Sequence, residues 1–298
     1  MTGPVPESAA GKSAAEAALS PHTLAEAVRL LGESPDLLPV AGGTDLMVAD
    51  RLWRARHGSV LDLTRVAELR GVRRVDGGIE IGAATPFAEL RSDAQVRKRF
   101  PALAAAAGVI GGWQIQNRAT LGGNMANASP AGDALPVLSA LEAVVLVVGP
   151  RGEREIPYRD FHVGYRETAL AAGELVVGVR LLEPPEGSRQ AFVKVGTREA
   201  QAISKVVVAG VGRVVEGRVD LLRLAAGSVA ATPLRLPVAE ASGLGLPVAG
   251  AAERAGEAAA AEVEPIDDVR STAVYRRAVL GRVVRRLVLG LDSEPGLS

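Results

Sequence analysis

A chain of 298 residues, 48% of them apolar, is long enough for two domains with buried interiors. Its 34 basic and 34 acidic residues cancel to a formal net charge of zero, which argues against a nucleic-acid or anionic-membrane partner held by bulk electrostatics. With no cysteine, it excludes disulfides, zinc–thiolate sites, cysteine-ligated iron–sulfur clusters and a thiol nucleophile from this polypeptide.

Residues 1–19, rich in Ala, Ser, Gly and Pro, have little to bury and are expected to form a mobile extension. They lack the charged start and apolar run of a secretory signal. No stretch approaches the roughly eighteen uninterrupted apolar residues of a membrane span, so a cytoplasmic protein is expected. Gly11-Lys12-Ser13 has the ending of a phosphate-binding P-loop, but Pro6 stands where the first glycine belongs and no strand precedes it.

Thr23-Leu24-Ala25-Glu26 has the form of a capping box, and Leu24, Ala27, Val28 and Leu31 make one apolar helical face that Gly32 ends. Residues 37–41 predict a strand running into Ala41-Gly42-Gly43-Thr44-Asp45-Leu46, with helical spacing over residues 45–54. Short strands follow at residues 60–63 and 79–83. Thr85-Pro86 suits an N-cap with proline at the first helical position, before a helix through Phe87 and Leu90. Pro101 opens an alanine-rich helix that stops near Gly108, and Gly111-Gly112 leads to a second glycine-rich turn, Ala119-Thr120-Leu121-Gly122-Gly123-Asn124. A helix over residues 136–141 and a hairpin over 144–156, turning at Gly149-Pro150-Arg151-Gly152, come next. Strands are expected at residues 175–181 and 192–195. Glu183-Pro184-Pro185-Glu186-Gly187 reads as a linker between them. Residues 206–228 predict an antiparallel meander, and alanine-rich helices close the chain. In the last of these Val279, Leu280, Val283, Val284 and Leu287 form the apolar stripe; Arg282, Arg285 and Arg286 project mainly elsewhere, as a solvated face or subunit contact.

Acid–base machinery is sparse. The three histidines, His22, His57 and His162, are scattered and have no carboxylate at ligand spacing, so no metal site is expected. A Gly-x-Ser-x-Gly elbow is absent, and Gly210-Val211-Gly212 fails as a Rossmann fingerprint because Val215 stands in place of the third glycine. Any reaction here must therefore be carried by a cofactor. The two glycine-rich turns suit a diphosphate, since small residues let backbone N–H groups approach phosphate oxygens. Beside the second, Gln114, Gln116, Asn117 and Arg118 crowd hydrogen-bonding groups; a bland alternative packs the turn around Trp113 and Ile115. Asp133 suits either an acceptor for ribose or ribityl hydroxyls or a helix cap.

On these residues the chain resembles the flavin-binding medium subunit of the molybdenum hydroxylases, the family of bacterial xanthine dehydrogenases and carbon monoxide dehydrogenases. The family's Ala-Gly-Gly-(Thr/His)-(Asp/Ser)-Leu loop stands at residues 41–46. Its Gln-Ile-Arg-Asn-x-(Ala/Gly)-Thr-(Ile/Leu)-Gly-Gly-Asn loop stands at 114–124, with Gln116 in place of the usual arginine. Ser129, Pro130 and Asp133 match a downstream Ser-Pro-x-x-Asp. The stretch 192–205 is similar to the strand and loop that approach the flavin, closest to xanthine dehydrogenase-type members, and residues 267–276 are similar to the signature of the C-terminal domain.

The resemblance implies an α+β fold. A two-subdomain FAD-binding domain of the PCMH/VAO type spans residues 20–185, and a smaller α+β domain, an antiparallel sheet plus helices, spans 190–290. It implies FAD bound by Ala41, Gly42, Gly43, Thr44, Asp45 and Leu46 from the first loop and by Thr120, Gly122, Gly123 and Asn124 from the second. Asp133 would hold hydroxyls of the cofactor, Val176 would pack near the flavin, and Lys194 would lie near the ring; the bland alternative for Lys194 is a surface strand position. No catalytic residue and no metal ligand are implied in this chain. The implied partners are a molybdopterin-binding large subunit, a [2Fe-2S] small subunit, and NAD+ or another electron acceptor. A stand-alone FAD-dependent reductase of the same fold is the alternative.

Overall fold

The computed structural model describes residues 18–47, 59–198 and 200–292. The P-loop-like Gly11-Lys12-Ser13 and His57 lie outside these residues. The fold is α+β; the described residues form three larger sheets, a two-stranded ribbon and covering helices. The first sheet is small and parallel, ordered β1 (Ala18–Leu19), β3 (Val60–Asp62), β2 (Leu38–Val40). Ala18 and Leu19 were expected in the mobile extension, yet they pair with Val60 and Leu61, because this strand edge offers backbone partners that composition does not reveal.

Helix α1 (Leu24–Glu33) buries Ala27 and Leu31 against this sheet. It runs one residue past Gly32. Thr23 caps it as expected, its Oγ1 accepting from Glu26 N at 3.2 Å, while the Glu26 carboxylate reaches back to the amide of His22 rather than of Thr23.

The second sheet is antiparallel, ordered β4 (Val72–Val75), β5 (Gly78–Gly82), β10 (Leu175–Leu182), β6 (Val144–Gly149), β7 (Gly152–Pro157). Strand β4 was not anticipated, although Asp76-Gly77 is a two-residue hairpin turn and Gly77 has the positive φ of 68° that such a turn asks of glycine. Against one face of this sheet pack α2 (Phe87–Ser92), α3 (Ala94–Arg99), α4 (Pro101–Val109), the one-turn α5 (Trp113–Gln116), α6 (Leu121–Asn127) and α7 (Leu135–Ala140). Phe87, Leu90, Phe100, Leu103, Leu121 and Met125 meet Ile79, Ile81, Val145 and Val179 in its core.

Thr85 does not cap α2. Pro86 occupies the cap position, and buried Thr85 instead exchanges hydrogen bonds with both backbone groups of Gly71, at 2.9 and 3.2 Å. Helix α3, also unanticipated, is capped by Asp93, whose carboxylate accepts from Gln95 N and Val96 N.

A two-stranded ribbon, β8 (His162–Gly164) and β9 (Glu167–Thr168), precedes β10. The third sheet is ordered β11 (Arg189–Val195), β12 (Val206–Val215), β13 (Arg218–Gly227), β14 (Leu234–Arg235): β12 and β13 are the expected meander, the strand expected at 192–195 joins it as β11, and β14 was not anticipated. Strand β12 is apolar on both faces: Val206 and Val208 face the terminal helices α8 (Pro237–Gly243), α9 (Val248–Ala261) and α10 (Ala273–Leu289), while Ala209 and Val211 join the core beneath helices α2–α7. Gly210 and Gly212 are glycines because the Leu287 and Leu291 side chains fill the space a Cβ would take. Along α10, Leu280, Val284 and Leu287 are buried, Arg285 pairs with Glu253 at 2.5 Å, and Arg282 and Arg286 line a surface groove beside β11.

Candidate functional site

Strand β2 ends in the first glycine turn, where Gly43 adopts a φ of 69° and Met47 N closes the turn onto Gly43 O at 3.0 Å. Residues 44–47 are turn rather than the start of a regular helix; the rest of the helix expected over 45–54 lies outside the described residues. Among the described residues, no protein acceptor meets the backbone N–H groups of Ala41, Gly42, Gly43, Thr44, Asp45 or Leu46. Of these residues Ala41, Gly42 and Gly43 border a cavity of about 330 Å³ lined also by Asp62, Thr64 and Arg118. Arg118 forms part of its wall, and its guanidinium has no acidic partner among the described residues.

The two glycine turns touch. A Cβ on Gly42 would lie 2.0 Å from Arg118 O and 2.9 Å from Ala119 Cα, so glycine there permits backbone to rest on backbone. A second tie comes from Arg166, in the β8–β9 turn, which donates to Asn127 Oδ1 at 2.8 Å and lies 3.6 Å from the Asp45 carboxylate.

The second turn is the beginning of α6, with Thr120 as its N-cap. The amides of residues 121–124 are taken: Leu121 N donates to Thr85 O, Gly122 N to Ala83 O at 2.8 Å, Gly123 N to Thr120 Oγ1 at 3.1 Å, and Asn124 N to Thr120 O. The expectation that this loop offers free N–H groups is therefore corrected. Gly122 is glycine because a Cβ would fall 2.5 Å from the Ala83 Cβ. Gly123, by contrast, is exposed, and a Cβ there would meet only Thr120 Oγ1, at 3.0 Å. The Asn124 side chain completes the turn with a buried Oδ1 that has no protein partner. An orphaned buried carbonyl carries a cost of about 1–3 kcal/mol unless a ligand donor meets it.

Asp133 and Lys194 are brought together. Lys194 Nζ lies 2.6 Å from Asp133 Oδ2 and donates also to Val109 O at 3.1 Å; the side chains are only 4% and 9% exposed. Ser204 Oγ donates to the other Asp133 oxygen. Both bland alternatives fall: Ala134, not Asp133, is the N-cap of α7, and Lys194 is not a surface residue. Burial raises the Asp133 pKa above the ordinary carboxylate value, against the opposing pull of Lys194 and Ser204. Val176 is buried in β10 at a bulge against β6, and Val177 O accepts from Ala83 N beside the start of α6.

Gln116, the departure from the family pattern, points away from the turn, bonding Gly108 O at 2.9 Å and receiving Arg91. Trp113 is exposed, with the Arg91 guanidinium 4.0 Å above its ring, so it is not the packing centre of the turn. His162 donates from Nε2 to Met125 O in the last turn of α6 and meets the Phe161 and Tyr158 rings edge-on; burial lowers its pKa.

Amides and a guanidinium without protein partners among the described residues, in a turn and an arginine that line one cavity, fit a dinucleotide diphosphate. Residues 13–183 match the FAD binding domain in molybdopterin dehydrogenase, and residues 191–291 match the CO dehydrogenase flavoprotein C-terminal domain. The chain belongs to the FAD-binding medium subunits of the molybdenum hydroxylases. Within that family it is 32% identical to the xanthine dehydrogenase FAD-binding subunit of Escherichia coli O157:H7, over 89% of this chain and 92% of that one. It is 34% identical to the carbon monoxide dehydrogenase medium chain of Hydrogenophaga pseudoflava, over 90% and 93%. Among solved structures, carbon monoxide dehydrogenase from Hydrogenophaga pseudoflava superposes with a TM-score of 0.87 at 34% identity, covering 93% of this chain and 96% of that one. Quinoline 2-oxidoreductase from Pseudomonas putida 86 superposes with 0.86 at 25% identity, covering 94% and 98%. FAD is thus the cofactor of this oxidoreductase subunit, and the molybdenum-hydroxylase medium-chain fold holds over nearly its whole length.

Arg118 and Arg166 were not assigned to the site from sequence. Arg118 carried a signal, since it directly precedes the second turn; Arg166 carried none, being joined to both loops only by folding.

Proposed function

We propose that this chain is the electron outlet of a multi-subunit molybdenum hydroxylase. A molybdopterin-binding large subunit hydroxylates the substrate, a [2Fe-2S] small subunit relays single electrons, and this chain delivers pairs of them to NAD+ or another acceptor. The observation that carries the reading is the first glycine turn, whose amides have no protein acceptor among the described residues and whose Ala41, Gly42 and Gly43 share a cavity with Arg118, in a chain with no cysteine of its own. When bound, FAD supplies a carrier that fills one electron at a time and empties two at a time.

The chain's own residues hold and tune it. Ala41, Gly42, Gly43, Thr44, Asp45 and Leu46 present amides to the diphosphate, and Arg118 neutralises it. Asn124 offers its orphaned Oδ1 to a cofactor hydroxyl, while Thr120, Gly122 and Gly123 fix the wall that carries it. Asp133 receives a further hydroxyl, Lys194 places a cation where a reduced, anionic ring is favoured, and Val176 packs beside it. The division into a flavin domain over residues 20–185 and a C-terminal domain over 190–290 belongs to this reading, supported by the two family matches. So does a cytoplasmic location; no helix among the described residues is long and apolar enough to cross a membrane. Identities of 32% and 34% to the xanthine and carbon monoxide enzymes leave the hydroxylated substrate to the large subunit's pocket.

Co-expression with the neighbouring large and small subunits tests the reading. We expect one complex that reduces its acceptor only when all three chains are present, with FAD released from this chain on denaturation. Steady-state turnover by the isolated chain, on a substrate of its own, would make it a stand-alone reductase instead.

A further inference from the structure

A buried polar chain leads from the C-terminal signature to Asp133. Arg276, whose side chain is 5% exposed, donates to Asp268 Oδ1 at 2.7 Å, to Ser228 O at 2.6 Å and to Lys205 O at 3.1 Å. Ser228 has a φ of 64°, a conformation a non-glycine residue holds only when its surroundings require it. Three bonds do so: its N donates to Pro130 O at 2.8 Å, its Oγ to Ser204 O at 2.9 Å, and its O accepts Arg276. Ser204, 1% exposed, then donates its Oγ to Asp133.

The geometry is specific about direction. Lys194 fixes one carboxylate oxygen of Asp133 and Ser204 the other, so the plane of the carboxylate is set by two groups 61 and 71 residues away in sequence. Ser204 and Ser228 belong to the domain that follows the flavin domain, whereas Asp133 and Pro130 belong to the flavin domain itself. The seam between the two is thus bonded where the Ser129-Pro130 turn enters the candidate flavin site. Within this network every side-chain polar atom but Arg276 Nε is hydrogen-bonded, so its members hold one another in place.

We propose that Ser204 is a positioning residue for the flavin: held by Ser228, and through it by Arg276, it fixes the orientation and charge of Asp133 and so the balance of the Asp133–Lys194 pair presented to the cofactor. The proposal rests on the reading that this pair faces FAD. Ser204 itself does not touch the cofactor. Losing its hydroxyl removes a hydrogen bond to a charged group and leaves Asp133 less able to stay ionised, so the cation of Lys194 is less compensated.

The test uses the full chain, with FAD as the titrant, and follows FAD dissociation constant, flavin midpoint potential and thermal midpoint in the same preparations. S204A is expected to weaken FAD binding about tenfold and to move the potential positive. S204T, which keeps the hydroxyl, is expected to restore both. S228A, one bond further away, should shift both in the same direction by less, and decides the matter should S204A fail to fold. A folded S204A with wild-type affinity and potential, whatever its melting temperature, overturns the proposal. D133N separates the two layers of argument. If it changes both readouts while S204A changes neither, only the role of Ser204 falls; if D133N also changes neither, the placement of the pair at the flavin falls with it.

Discussion

The two glycine turns look alike in sequence and differ in the folded chain. In the first, backbone N–H groups are left without partners among the described residues; in the second, every amide of residues 121–124 is bonded within the protein, leaving the Asn124 side chain as the free polar group. Glycine serves different ends in the two. Gly43 supplies a backbone conformation, Gly42 and Gly122 admit neighbouring backbone, and only Gly123 opens toward free space. A glycine-rich motif therefore marks a close approach without saying whether a ligand or another strand is approaching.

Substitutions can separate these roles. The largest effect belongs to packing. G42V and G122V each force a side chain into backbone atoms, and each should lose about 3 kcal/mol or more of stability together with its FAD, by urea denaturation and flavin content. A G122V protein with wild-type stability would break the claim that the second turn is bolted to Ala83. Next comes R118Q, which removes charge from the first cavity alone: FAD affinity should fall about tenfold to a hundredfold, a loss of about 1.5–3 kcal/mol, while the melting temperature of the apoprotein stays put.

G123V sharpens the contrast from the other side. Because its Cβ meets little protein, FAD should be lost while stability changes by about 1 kcal/mol or less. Retained FAD would contradict the placement of Gly123 at the cofactor. T120V, which removes only the hydroxyl that caps α6, should cost about 1 kcal/mol of stability, with a smaller loss of FAD.

The smallest effect is a pH dependence from Asp62, at the end of β3 on the wall of the first turn's cavity. Burial pushes the Asp62 pKa up, but bonds from the Thr64 side chain and amide and from Ser20, with the charge of Arg65, outweigh it and hold the carboxyl below its ordinary value of 3.8. A carboxyl depressed in this way contributes stability above its unfolded pKa and loses it as pH falls through the folded one. D62N should accordingly flatten the acid limb of the stability profile below about pH 4 and leave the neutral limb parallel to wild type.

Much of this was legible in the sequence because local signals agreed with the fold. The Thr23 cap, the hairpin turning at Gly149-Pro150-Arg151-Gly152 and the meander after residue 205 each follow from their own residues. Strand β4 and helix α3 were legible too, through Asp76-Gly77 and Asp93, but lie in short, charged segments where periodicity says little. What no local signal carries is pairing at a distance. Nothing around Lys194 says that it is buried on Asp133, nor does anything around Arg166 say that it joins Asp45 to Asn127; tertiary packing makes those contacts. Both glycine loops were expected to offer N–H groups to a diphosphate, and the two differ because sequence does not tell which amides are already spent.

Residue-resolved amide exchange on the apoprotein and on the FAD-loaded chain tests the central claim directly. The account predicts that the amides of residues 41–46 exchange fast without FAD and gain protection with it, while those of residues 121–124 are protected in both states. Fast exchange at 121–124 in the apoprotein, with protection appearing there on FAD binding and none gained at 41–46, would contradict it.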